Sequence, residues 1–403
     1  MKITRRTVVF LAALLILGLS LFFRVQTYSP EQAASTGFYA RQGLVPEAAK
    51  QPVVTSAPAP TTNVETLTLD ATPAPVSVAE PRDFTISVIG DNTLASHQFA
   101  GAAVSYAGRM KDDYAYPYSN TVQYFANDDF TITNLECTLS DRKLRSAEQW
   151  YFLAPTAYAN ILLEGGVDFV TTANNHMEDF GQEGVDDTYA ALEEYGIPYG
   201  KEGEGQLLTI DGDLTLGIYC DYNHLKPDVD KCTAAVRSLR EQGADYVICA
   251  FHWGKELYYT PNNDQITLAR ACIDAGADLI YVSHTHNLQP IEQYGDGLIL
   301  YSMGNWSFGG STAPSDRDTA IVQVKLHRDE SGKVRTTGYE VVPCCVSSRP
   351  VNEGYTGDNY NDYRPTPYTE GSSAYYRVLA KLDGTFEPDK EGRDYSDVYA
   401  QYG

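Results

Sequence analysis

From residue 83 onward, short apolar runs alternate with amphipathic stretches along the chain. The runs at 84–89, 130–133, 167–172, 214–219, 246–251 and 279–283 have the length and β-type make-up of buried strands. Most lead through a loop into a helix-period stretch, such as 184–195, 231–242 or 265–275. That alternation predicts an α/β architecture of largely parallel strands covered by helices. After His284 strand follows strand, at 289–294, 298–302, 320–327 and 334–341, which predicts an antiparallel set joined to the earlier sheet. Residues 353–371 read as a loop rich in Tyr, Asp and Gly, and 373–382 as a last helix. The expected folded domain is therefore 83–385, with a flexible acidic tail at 386–403.

The first 82 residues follow a different pattern. Lys2, Arg5 and Arg6 precede an uncharged apolar run over 7–23, which Arg24 closes. At about 1.5 Å per residue such a run spans roughly 25 Å, close to a hydrocarbon core once flanking arginines snorkel. The nearest cluster of small residues, Ala33-Ala34-Ser35, lies well past the run, and no cysteine precedes Cys137 to carry a lipid. The expectation is an uncleaved signal anchor at 1–24, single-pass, with its basic end in the cytoplasm. A cleaved signal peptide is the alternative, and either one places the folded part outside the cytoplasm. Residues 25–82, dominated towards their end by Pro, Thr, Ala and Val, read as a disordered, extended linker.

Composition narrows the function. Of 403 residues 43% are hydrophobic, enough for a large core. Acidic residues number 53 against 30 basic, a net charge of −23, and four of the cations lie in 1–24. So acidic an ectodomain repels phosphate backbones, and no nucleic-acid partner is expected. The seven cysteines include no CxxC pair, which argues against a zinc ribbon or a thioredoxin site. Cys220, Cys249 and Cys272 read as small core hydrophobes, while adjacent Cys344 and Cys345 leave a strained disulfide open.

Each predicted strand with a polar end finishes in groups able to bind a cation: Gly90-Asp91, Asn134-Leu135-Glu136, Asn174-Asn175-His176, His252-Trp253-Gly254 and His284-Thr285-His286. In an α/β sheet the carboxyl ends of the strands form the ligand crevice, so these five groups should converge. Carboxylate, amide oxygen and imidazole together suit a divalent transition metal such as Zn, Mn or Fe. Two such ions bridged by a carboxylate suit hydrolysis of a phosphoryl or acyl bond. Singly, each group has an ordinary reading as a turn, a cap or an exposed pair; the ordered recurrence at strand ends carries the argument. Trp253 and Trp306 could stack on a ligand or simply pack.

These stretches, with "TTANNHMEDFG" at 171–181, residues 252–286 and "ILYSMGNWSF" at 299–308, resemble the bacterial capsule synthesis protein A family. It is also called the poly-γ-glutamate synthesis (PgsA-type) family. The resemblance covers about 84–383 and implies a calcineurin-like metallophosphatase αββα sandwich, two mixed sheets flanked by helices. It also implies Asp91 as the aspartate of the first metal motif, with Thr93 where that motif has a histidine. Glu136 stands in place of the bridging aspartate. Asn175, His252, His284 and His286 match metal ligands, and His176 matches the catalytic histidine. Asp179 and Glu256 fall on family positions and imply groups behind the ligands or facing the substrate. The implied function is a membrane-anchored extracellular capsule protein with one or two Mn, Zn or Fe ions. Its implied partners are a polyanionic polymer such as poly-γ-glutamate and other membrane proteins of capsule assembly. An extracellular metal-dependent phosphoesterase unrelated to capsule, or a binding module with a degenerate site, remain the alternatives.

Overall fold

The computed structural model describes residues 80–222, 227–349 and 361–388. The expected anchor, nearly all of the linker and most of the tail lie outside them. Among the described residues, no helix is long and apolar enough to cross a membrane.

The strands are β1 (Arg82–Thr93), β2 (Phe130–Leu135), β3 (Thr138–Leu139), β4 (Leu153–Ala154), β5 (Phe169–Thr171), β6 (Tyr199–Gly200), β7 (Glu204–Ile210) and β8 (Leu214–Tyr222). They continue as β9 (Tyr246–His252), β10 (Leu279–Ser283), β11 (Leu288–Tyr294), β12 (Gly297–Met303), β13 (Asn305–Phe308), β14 (Asp318–Arg328), β15 (Val334–Cys345) and β16 (Thr366–Pro367). The α-helices are α1 (Tyr106–Met110), α2 (Val122–Phe125), α3 (Ala159–Glu164), α4 (Gly181–Glu194), α5 (Val229–Glu241), α6 (Asn263–Asp274) and α7 (Ser373–Asp383).

One sheet runs β16-β15-β14-β1-β2-β5-β6, with β13 also paired to β1; a second runs β11-β12-β10-β9-β8-β7. Each has a parallel heart, β1-β2-β5-β6 in the first and β8-β9-β10-β12 in the second. The expected antiparallel set is divided between the sheets. β14 and β15 extend the first beside β1, whereas the β11–β12 hairpin completes the second, with β12 itself parallel to β10.

Period-two alternation explains the layers. On β9, Ile248 and Ala250 face Ile86, Ile132 and Phe169 of the first sheet, forming the core between the sheets. The intervening Val247, Cys249 and Phe251 pack with Val236 of α5 and Leu268 and Cys272 of α6. Outside the first sheet, Val170 and Ile321 pack with Phe125, Ile161 and Leu162. The mixed α/β fold is thus several sheets flanked by helices. All seven cysteines are free, so the vicinal pair is unbonded. Trp253 and Trp306 are buried and belong to the core.

α6 starts on a reciprocal cap in which the Asn262 side chain accepts from the Gln265 amide and Gln265 accepts from Asn262 N–H. α7 is latched by charge. Lys381 Nζ lies 2.5 Å from Asp316 and 2.7 Å from Asp318, and Arg377 donates twice to Asp318 at 2.6 Å.

Candidate metal centre

The parallel hearts of both sheets end at one place. Asp91 lies two residues before the end of β1, Glu136 follows β2, Asn174–His176 follow β5, His252 ends β9, and His284–His286 follow β10. Asp91, Glu136 and His252 are fully buried and His284 is 5% exposed. The backbone helps fix this convergence. Asp91 N–H donates to Gly304 O at 2.9 Å, and a Cβ on Gly90 would lie 2.1 Å from that same oxygen. Only glycine allows the approach.

Two donor groups form. Glu136, His252 and His284 offer one set of ligand atoms, and Asp91, Glu136 and His286 a second, each set mutually within 4.8 Å. Glu136 belongs to both. Asn175 joins the first, its Oδ1 lying 2.7 Å from His252 Nε2. That nitrogen also faces His284 Nδ1 at 3.1 Å and Glu136 Oε1 at 3.4 Å. One imidazole nitrogen carries at most one hydrogen, so three electron-rich atoms cannot all be satisfied by it. Glu136 Oε1 is buried and accepts no hydrogen bond, an arrangement that costs free energy unless a cation stands there. The residues fit a divalent metal.

Electrostatics points the same way. Burial, followed by repulsion from Glu136, pushes the Asp91 carboxyl up to about 6. Burial would raise Glu136 too, but His252, His286 and His176 outweigh it and hold it well below the usual carboxylate range.

Polar neighbours orient the donors. Asn134 donates to Asp91 Oδ1 at 2.8 Å and accepts from Asn174 at 3.0 Å. Ser283 Oγ lies 2.9 Å from His252 Nδ1. Thr93, which stands where the family motif has histidine, donates to Glu136 Oε2 at 3.3 Å. Asn305 contacts His286 at 2.9 Å. Among these neighbours Asn305 carries no strand-end metal signature, and only its place in the "ILYSMGNWSF" stretch hints at it.

His176 sits beside these donors rather than among them. Its Nδ1 is 3.0 Å from Asp179 Oδ2, and its ring meets the Phe152 ring edge-on at 4.6 Å. Asp179 in turn accepts from Phe152 N–H at 2.8 Å. Burial acts to lower the His176 pKa, but Asp179 and Glu136 overcome it and the net shift is upward. Glu256 is exposed on the loop after β9 and belongs to neither donor group. It acts at longer range, helping to raise the His286 pKa against the lowering effect of burial.

The class that the fold defines is a layered α/β protein with a carboxylate-sharing cluster of possible metal donors at its strand ends. The sequence model of the Bacterial capsule synthesis protein PGA_cap family matches residues 85–206 and 212–309. The chain belongs to that family, part of the metallophosphatase-like superfamily. It is 29% identical over 308 residues to the Capsule biosynthesis protein CapA of Bacillus anthracis, covering 69% of this chain and 72% of that one. It is 31% identical over 202 residues to the PGA biosynthesis protein CapA of Bacillus subtilis (strain 168), covering 45% of this chain and 53% of that one. Among solved structures, Haemophilus influenzae NAD nucleotidase aligns over 80% of this chain and 67% of its own, at 12% identity and a TM-score of 0.38. That likeness is too distant to bear on function.

Proposed function

We propose that this chain is a membrane-anchored capsule protein of the CapA/PgsA kind that cuts or transfers a polyanionic polymer such as poly-γ-glutamate, using a metal-dependent hydrolase-like centre on a calcineurin-like αββα frame. The observation that carries this reading is the pair of donor sets sharing Glu136 in a chain of a capsule-synthesis family. Asp91, Glu136 and His286 would hold one ion, and Glu136, Asn175, His252 and His284 the other. Ions of Mn, Zn or Fe bound there supply Lewis acidity towards an acyl or phosphoryl oxygen and make water a better nucleophile.

The rest falls to the chain's own groups. His176 is poised to give a proton to the leaving nitrogen or oxygen, since the Asp179 carboxylate engages Nδ1, leaves Nε2 for the transfer and favours the protonated ring. Phe152 keeps that ring in place. Two residues before Phe152, Trp150 packs at 6.2 Å against Phe99, which is 72% exposed. His97 completes the cluster, 5.8 Å from Trp150. This apolar surface suits the methylene stretches of a long chain better than a small phosphoester. Residues 7–23 would anchor the protein, with the domain outside the cell.

The test uses the full chain in detergent, loaded with Mn²⁺ or Zn²⁺ and incubated with poly-γ-glutamate. Shortening of the polymer with release of new amino groups is expected, and a chelator should stop it. His176→Ala should slow it by about 10²–10⁴-fold with metal content unchanged. Turnover of a phosphoester but not of the polymer would favour the phosphoesterase alternative; polymer binding without turnover of either would favour the degenerate binding module.

A further inference from the structure

Asn305 opens β13, and the parallel register sets its Cα opposite that of Asp91. Its side chain grips His286 at two points. Nδ2 donates to the His286 carbonyl oxygen at 3.2 Å, and Oδ1 lies 2.9 Å from His286 Nδ1.

The first contact decides the second. A backbone carbonyl only accepts, so the amide must turn its NH₂ towards it, and Oδ1 is thereby turned onto the ring. An amide oxygen also only accepts, so Nδ1 carries the hydrogen. In the neutral ring the free lone pair then lies on Nε2. Asp91 Oδ2, at 3.8 Å from Nδ1, is too far to compete for that hydrogen. The same grip reaches the backbone, because His286 sits at φ +57°, a left-handed conformation that a residue with a Cβ adopts at a cost. The Phe308 ring, 4.9 Å from the imidazole, packs against it as well.

We infer that Asn305 is a positioning residue that holds His286 in its Nδ1–H tautomer and in its left-handed backbone, so that the ring can complete the donor set of Asp91 and Glu136. The inference rests on the metal-centre reading, but its first readout does not need a metal.

Two variants of the full chain test it, with a third used only for spectral assignment. Long-range ¹⁵N histidine spectra of the metal-free protein, recorded at a pH alkaline enough to leave the ring neutral and with His286 assigned by a His286→Gln variant, should show an Nδ1–H tautomer in the wild type. Asn305→Ala should shift that ring towards the other tautomer. In Mn²⁺ or Zn²⁺ titrations Asn305→Ala should bind one of two ions about 10–100-fold more weakly and leave the other unchanged. Asn305→Asp keeps an accepting oxygen for Nδ1 but loses the donor to the His286 carbonyl, so it should retain the Nδ1–H tautomer while recovering only part of the lost affinity. An unchanged tautomer in Asn305→Ala, unchanged affinity for both ions, or an Asp variant that loses the Nδ1–H tautomer would each overturn the inference. A wild type that binds no metal but shows the Asn305-dependent tautomer would refute the function proposed above and leave the positioning role of Asn305 standing.

Discussion

Replacing Glu136 by Gln removes the one charge common to both donor sets while preserving side-chain volume and an oxygen for Thr93 to donate to. A ligand that binds only the folded state at 100 times its dissociation constant stabilises that state by about 2.7 kcal/mol. For a fold of this size that corresponds to a rise in Tm of roughly 5–10 °C. Losing a hydrogen-bonded neighbour of a ligand typically weakens metal binding by 10–100-fold, and losing a charged ligand outright should reach at least the upper figure. At hundredfold weaker binding the same metal concentration adds only about 0.4 kcal/mol, a shift under about 2 °C. The assay is differential scanning fluorimetry or calorimetry of the full chain with and without Mn²⁺ or Zn²⁺. A Glu136→Gln protein that keeps the full metal-induced shift would refute the shared-carboxylate argument, whatever its metal-free Tm.

Two further outcomes are expected. Lys381→Met should strand Asp316 and Asp318 beneath α7 and cost about 3–5 kcal/mol of stability at pH 7, at the low end because Arg377 remains. Burial pushes the Asp318 carboxyl up, but Arg377 and Lys381 outweigh it and hold the carboxyl below its unfolded value of 3.8. Its contribution is therefore present above pH 3.8 and is lost as the pH falls further. Urea unfolding of the variant should show a flatter dependence on pH below about 4, and a wild-type midpoint at pH 7 would count against the latch. The anchor at 7–23 predicts that the protein stays in the membrane fraction through a high-salt wash and keeps Met1. Mass spectrometry showing a new N-terminus between 20 and 40 would exclude it.

The parallel strands were legible because a strand buried on both faces leaves a continuous apolar run, as Tyr246–His252 does, every residue of which is buried. The convergence of polar strand ends was legible for a related reason. The carboxyl end of a parallel strand lies where the crevice must be, so Asp91, Glu136, Asn175, His252, His284 and His286 could be placed together before any geometry was known. Less legible was the assignment of the later strands to sheets. Periodicity marks 298–302 as a strand but carries no partner information, and only packing sends it parallel to β10 while β14 goes antiparallel to β1. Trp253 and Trp306 stayed ambiguous for the same reason, since an aromatic beside a motif looks alike in a cleft and in a core.

Asn305 marks the limit of that way of reading. It stands at the start of its strand rather than at a carboxyl end, and asparagine there reads as a turn residue. What gives it a role is a contact between elements: Gly90, whose missing Cβ leaves room for the Gly304 carbonyl, lets β1 and β13 approach closely enough for Asn305 to lie opposite Asp91 and reach His286. A ligand's residue type can be inferred from the chemistry it must supply. The group that fixes that ligand's tautomer can be an amide, a hydroxyl or a backbone carbonyl, and it is identified only by what it touches.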